Sequence, residues 1–391
     1  MKNRLYHVVG SLSSKELDRF LIFVQSPFFN QHKDTVRLLK AISSLFPQGE
    51  LEDKALFFQL YPEKKYESGR IRSLKSRLVK LLDKFLIQLE LEKSESTKDS
   101  LLIQAYSERE LFKAIERKLE FVEKRIEDRS QLQLETARLR FNLEETKLDI
   151  KLKQGERSDL FQDGKLMRSL DRYFLAKRFK ILGAIENLSG YSENVVKPAA
   201  VFETISLAEK AMVSNEPIVE IYQLALMGQL QPSDASIFEK LISLVDQYHS
   251  AFQKNELFDI IGVLVSKNLS DLRKGVAGSL RRVFQNYQKM VELDIVFGMG
   301  KTSAHLVRNI ISAAARLNEF EWSKRFLAVA EGRIATPYRE QVFNFGTAQI
   351  AFHEKDYPLA KKHLLEVVFE DPMVKLSADN ILLKCYFATQ E

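Results

Sequence analysis

Helix-breaking residues are scarce in this chain: 15 Gly and 9 Pro stand among 391 residues, about half of average usage. That scarcity is the composition of a helical protein. Cysteine is scarcer still. Cys385 is alone, so the chain can build neither a disulfide framework nor a thiolate metal site or redox pair. Long apolar runs are missing too. The best, Ile260 to Val265, lies between Asp259 and Ser266, far short of the roughly 18 residues that a membrane span requires. Near the start, Leu5-Tyr6-His7-Val8-Val9 is too short and polar for an export-signal core. A cytoplasmic location is therefore expected, with no membrane partner.

What is present fits a folded globular chain: 45% hydrophobic and 29% charged residues, with a mean hydropathy of −0.21. The formal net charge is +6, and it is unevenly placed. Residues 1–90 hold 16 Lys and Arg against 10 Asp and Glu, while the remainder is balanced. An excess of six among 26 charges lies close to random scatter, so it directs attention without assigning a function.

Apolar residues recur with a helical period almost throughout, and no alternating runs with hairpin turns are found, so an all-α protein without sheet is predicted. Pro198, Pro217, Pro232, Pro337 and Pro358 each open a helical pattern, where the missing N–H costs nothing. Residues 1–93 read as a basic N-terminal module. Ser13-Ser14-Lys15-Glu16 is a capping box for a helix with Leu17, Phe20, Leu21 and Val24 on one face, ending at Ser26 before Pro27. Helices follow over about 34–46, 52–61 and 69–92. Residues 94–100, with no apolar member, are expected to form a linker to a second domain, 99–391, of fourteen helices with short connections. Such helices pack as antiparallel pairs.

Ala348 to Ala360, with Asp356-Tyr357 at a turn and Leu364, Val367 and Pro372 beyond, resembles a tetratricopeptide repeat. Small residues stand where paired helices touch, at Ala348 and Ala360, and Pro372 occupies the position that closes the second helix. The sequence departs from that pattern at Ala351 and Lys355, where the family prefers an aromatic and a small turn residue. Ile311 to Ala330 repeats the register one unit upstream, and Ala105 to Ala114 echoes it. The resemblance implies stacked helix hairpins, clearest over 303–372, capped by a helix at 374–388. It further implies a concave groove for a peptide or protein and no built-in reaction chemistry. Ser26-Pro27-Phe28-Phe29-Asn30, Leu56 to Pro62 and Arg70 to Leu74 are similar to the front end of uncharacterised bacterial helical-repeat proteins, which implies no activity.

Motifs for chemistry are weak. Gly298-Met299-Gly300-Lys301-Thr302 ends like a phosphate-binding loop, but Ile295 stands where its first glycine belongs and the preceding residues are helical. It reads as a helix C-cap followed by Thr302 as the next N-cap. The six histidines include no i, i+4 pair; His353 and His363 lie on two helices of one hairpin, with no third ligand spaced to join them. Adjacent carboxylates such as Glu144-Glu145 point apart on a helix, and no Gly-x-Ser-x-Gly elbow occurs. No catalysis, metal or cofactor is expected.

One face stands out. On the 69–92 helix, Arg70, Ser73, Arg77, Lys80, Lys84 and Gln88 fall within an arc of about 80° beside an apolar face of Ile71, Leu74, Leu78, Leu81, Leu82, Phe85 and Leu89. The stripe carries no carboxylate, and from Arg70 to Lys84 it extends about 21 Å. It reads as a solvated flank of the core, as a face paired to acids elsewhere, or as a contact for an acidic protein or a nucleic acid. Phe28 and Phe29 either plug a gap between the first helices or form a protein-binding edge. The expected function is a non-catalytic protein-interaction scaffold, with nucleic-acid binding or regulation through the basic helix as the alternative.

Overall fold

The computed structural model describes residues 4–44, 52–127, 133–155, 164–189, 197–297, 302–334 and 336–390. They form nineteen α-helices and one short 3-10 turn. The nearest approach to sheet among them is an isolated bridge between Thr302 and Ile334. No helix among the described residues is long and apolar enough to cross a membrane. Contacts divide the chain into two compact units, Met1–Lys118 and Leu119–Glu391.

The first unit is built on one long helix. Around α5 (Ser68–Lys93) pack α1 (Arg4–Gly10), α2 (Ser14–Gln25), α3 (Lys33–Ser43), α4 (Asp53–Leu60) and α6 (Glu95–Ser107). The buried residues of α5 are the seven apolar ones that helical spacing places on one face. They meet Phe20 and Val24 of α2, Leu38, Leu39 and Ile42 of α3, and Leu56 and Phe57 of α4. Both halves of the Ser13/Glu16 capping box form, so the first orphan donors of α2 are satisfied. Sequence periodicity does not reveal α1, which is only seven residues long; it is held by burial of Leu5, Tyr6 and Val9 and by an Arg4–Asp83 ion pair of 2.9 Å. A helix that short owes its existence to tertiary contacts and not to propensity.

Two expectations for this region need correction. Residues 94–100 are no linker: Ser94 caps α6 by accepting from the Thr97 N–H, and the polar run forms that helix's first turns. Asp99 is buried there beside Lys118 at 2.6 Å, so a stretch without apolar residues is tied down by charge. Phe28 and Phe29 do different things. Phe29 stacks on Phe23 at 4.0 Å, and Phe23 in turn leans on Phe85 of α5 at 5.6 Å, whereas Phe28 stays 88% exposed.

The α6–α7 connection leads into α7 (Phe112–Glu127), on which the division between the units falls. The second unit continues with α8 (Leu134–Lys153), α9 (Lys165–Ser189), α10 (Pro198–Lys210), α11 (Pro217–Leu230), α12 (Ala235–Tyr248), α13 (Lys254–Arg273) and α14 (Ser279–Glu292). It ends with α15 (Ala304–Ala315), α16 (Phe320–Glu331), α17 (Thr336–His353), α18 (Tyr357–Leu365) and α19 (Pro372–Thr389). One continuous core runs from Leu134 to Ile350. At its C-terminal end α15 meets α16 and α17, and α17 meets α16, α18 and α19.

Six helix ends share one device. Glu110, Met212, Gly275, Asp294, Asn318 and Lys355 all have positive φ. In each case the following N–H reaches back five residues to a carbonyl: Leu111 to Tyr106, Val213 to Ala208, Val276 to Asp271, Ile295 to Met290, Glu319 to Ala314 and Asp356 to Ala351, at 2.8 to 3.1 Å. This is the Schellman closure, which satisfies orphan carbonyls and reverses the chain in a few residues. Ala348, Ala351 and Ala360 are fully buried where α17 meets α18. Pro372, expected to close a helix, opens α19 instead, because α18 already ends at Leu365. The N-cap of α15 is Ser303 and not Thr302; the Thr302 hydroxyl donates to the Val296 carbonyl at 3.0 Å.

Candidate anion-binding site

The loop before α3 is fixed by Asn30. Its side-chain amide donates to the carbonyls of Val24 and His32, at 2.9 and 3.1 Å, and its Oδ1 accepts from the His32 N–H at 3.0 Å. Asn30 is itself buried, and the start of α3 is set by these three hydrogen bonds, the one to Val24 buried and the two to His32 partly so. That placement brings Gln31, His32, Lys33 and Asp34 to face Arg70, Ser73 and Arg77 of α5, with Tyr61 between them, around a cleft of about 480 Å³.

Within the cleft Arg70 has two neighbours. Its guanidinium lies 4.3 Å from the centre of the Tyr61 ring and 3.6 Å from Asp34 Oδ2, and the Tyr61 hydroxyl donates to the same carboxylate oxygen. Burial, reinforced by the hydrogen bond to Asp34, pushes the Tyr61 hydroxyl above its ordinary range, so it remains a donor at neutral pH. Asp34 thereby serves Tyr61 and Arg70, with Arg37 a further 3.8 Å neighbour.

The rest of the stripe is open. Ser73, Lys80, Lys84 and Gln88 are exposed and Arg77 half-buried, and none of the cations Arg77, Lys80 and Lys84 has an ion pair among the described residues. The sequence-derived stripe is therefore divided. Arg70 belongs to a network with an acid, and the other three cations follow it along α5 without an ion pair among the described residues. Arg77 belongs to both parts, since it also lines the cleft. Gln31, His32, Lys33, Asp34 and Tyr61 were not visible as members of the site, because nothing in sequence spacing joins residues 31–34 to residues 70–77.

Other candidates do not assemble. His363 Nδ1 pairs with Asn344 Oδ1 at 2.7 Å, whereas His353 packs edge-on against Phe352. Burial, then Arg316 and Lys384, hold the pKa of His353 below its ordinary value. No group of three or more His, Cys, Asp or Glu positioned for a metal occurs among the described residues. Cys385 is fully buried, and burial raises its thiol pKa, the opposite of an activated nucleophile. Residues 298–301 of the phosphate-loop-like motif lie outside the described residues. Comparison of the chain with protein-family models, with curated proteins and with solved structures finds no match.

Proposed function

We propose that this is a non-catalytic binding protein that holds an anionic macromolecule against α5 of its N-terminal unit. The observation that carries the reading is that Arg77, Lys80 and Lys84 make no ion pair among the described residues, on a face that is otherwise Ser and Gln. A solvated flank has the same composition, but the cleft at its head adds a guanidinium already placed against Tyr61 and Asp34. A bound phosphate or carboxylate there meets Arg77, Ser73 and Lys33 as well as Arg70.

Both nucleic acid and an acidic protein surface offer such groups, and titration with a separate probe of each class distinguishes them. Full-length protein titrated into labelled duplex DNA, single-stranded RNA and an acidic peptide at low salt is expected to bind at least one. Arg77→Glu/Lys80→Glu/Lys84→Glu is expected to weaken that binding by at least about tenfold. Undetectable binding to all three probes, or binding that the triple variant leaves intact, contradicts the proposal.

The second reading concerns residues 119–391, which we infer to be a tetratricopeptide-like stack serving as a protein- or peptide-binding scaffold. Its support is the recurrence of one turn. The three segments that echo one another in sequence each contain a Schellman closure, at Glu110, Asn318 and Lys355, although the first lies ahead of this unit. Within the unit, α17 packs against both neighbouring helices and against α15 and α19 two helices away, as helices of consecutive repeats do. A shallow cleft of about 240 Å³ between α16, α17 and α18, lined by Leu327, Phe343, Ile350 and Leu359 and edged by the Lys324–Glu354 pair, is where a peptide side chain fits this scaffold. Phe343→Glu is expected to reduce recovery of a partner from cell extract, and unchanged recovery argues against the cleft.

A further inference from the structure

The last helix has two apolar faces, and only one is used. Val374, Ala378 and Cys385 are buried, with Ile381 and Leu382 packed beside them against residues of α17 and α18. On the opposite side Met373, Leu376, Leu383 and Phe387 are 70%, 63%, 70% and 88% exposed. With Asn380, also exposed, they succeed one another at steps of three, four, three and four residues. That is the a/d spacing of a coiled-coil seam, and it places all five within an arc of about 80°. A helix that merely shields a core is expected to turn a polar face outward. This one does not.

We propose that the outer face of α19 pairs in parallel, in register, with α19 of a second copy of the chain. Two observations select that occupant. With Met373, Asn380 and Phe387 at a positions and Leu376 and Leu383 at d, Asp379 falls at g and Lys384 at the following e. Both are exposed, and neither has an ion pair among the described residues. In a parallel pair each g residue reaches the e residue five positions on in the other chain. The same sequence paired with itself therefore makes two Asp379–Lys384 bridges, while an antiparallel pair sets like flanks side by side. Asn380 is the second: a single Asn at an a position meets its own copy across a parallel two-stranded seam and penalises other registers and higher orders. Because α19 is already ordered by its inner face, pairing does not require the helix to be nucleated.

Sedimentation velocity of the full-length chain over a concentration series tests this. A reversible dimer is expected, and Leu376→Glu/Leu383→Glu should raise its dissociation constant by more than about 100-fold, with circular dichroism unchanged because both side chains point away from the protein's own core. Asp379→Lys or Lys384→Asp alone should each weaken the dimer by roughly fivefold to tenfold, and the two together should restore it. Asn380→Cys should give a disulfide between copies under mild oxidation, since only in-register parallel helices bring the two introduced thiols within bonding distance; Cys385 is buried and does not compete. A chain monomeric up to about 100 µM, a dimer that survives the double Glu substitution, charge reversals that fail to compensate, or a dimer of the Asn380→Cys variant whose introduced thiols do not couple would each overturn the proposal.

Discussion

Tyr61 shows how much one side chain decides in this molecule. It donates to Asp34, supports the Arg70 guanidinium on its ring, and packs at a tilt against Phe57 at 5.2 Å. Tyr61→Phe keeps the ring and removes the hydroxyl, so Asp34 loses a donor while Arg70 keeps its platform. A loss of about 1–2 kcal/mol is expected, measured by urea unfolding; no change would mean that the Asp34 contact is made equally well to water. The buried hydroxyls also set an alkaline limit. Burial pushes Tyr287 up to about 12, and burial together with Glu256 raises Tyr222. A phenol whose folded value exceeds its unfolded value of about 10 stabilises the fold fully below pH 10 and loses that contribution as pH rises through the folded value. Thermal midpoints should therefore be insensitive to these groups near neutrality and fall between roughly pH 10 and 12, where Tyr287 alone represents on the order of 2 kcal/mol. A flat midpoint across that window contradicts the assignment. None of this was legible from sequence. Nothing in the local sequence marks Tyr61 or Tyr287, and the partner of Tyr61 is 27 residues distant.

Among the elements, helices were the most legible part. The periodicity that places Ile71 to Leu89 on one face of α5 reports directly on burial, and proline at the start of α10, α11 and α18 fixes where those helices begin. Three things escaped. Helix α1 is too short to show a period. The turns of α6 over 95–100 are polar and held by capping and charge. The doubled face of α19 has apolar residues all round, so a single-stripe reading assigns them all to one core. The turns make a sharper test. Lys355 adopts φ of 68°, a conformation that disfavours a side chain, at the position where the resemblance prefers a small residue. Lys355→Gly is expected to raise stability by up to about 1 kcal/mol by relieving that strain against the entropy it adds, readable in a denaturant midpoint; a destabilised variant would mean that the lysine has a compensating contact. Close approach sets the complementary case. A Cβ on Gly346 would lie 2.9 Å from Ile311 Cδ1 and 3.2 Å from Leu327, so Gly346→Val should cost about 1–3 kcal/mol where α15, α16 and α17 converge.

For the molecule as a whole, charge is distributed unevenly along the chain. Residues beyond 90 balance their signs and pair many of them between helices, as in Lys254–Asp294 and Arg281–Glu319. The first unit carries the whole excess, and Arg77, Lys80 and Lys84 are among the cations that it leaves without an ion pair among the described residues. Sequence alone located the stripe but was unable to say which of its members were engaged; folding answers that by giving Arg70 an acid and leaving Arg77, Lys80 and Lys84 without one among the described residues. The most direct test is the salt dependence of binding to the tightest of the three anionic probes, measured for the full-length protein and for Arg77→Glu/Lys80→Glu/Lys84→Glu. If these cations contact the anion, the slope of log affinity against log salt for a nucleic acid should fall by about one for each contact removed, up to about three, and affinity for an acidic peptide should fall in parallel with its salt sensitivity. An identical slope and affinity in the two proteins would show that α5 is a solvated face and contradict the proposed function.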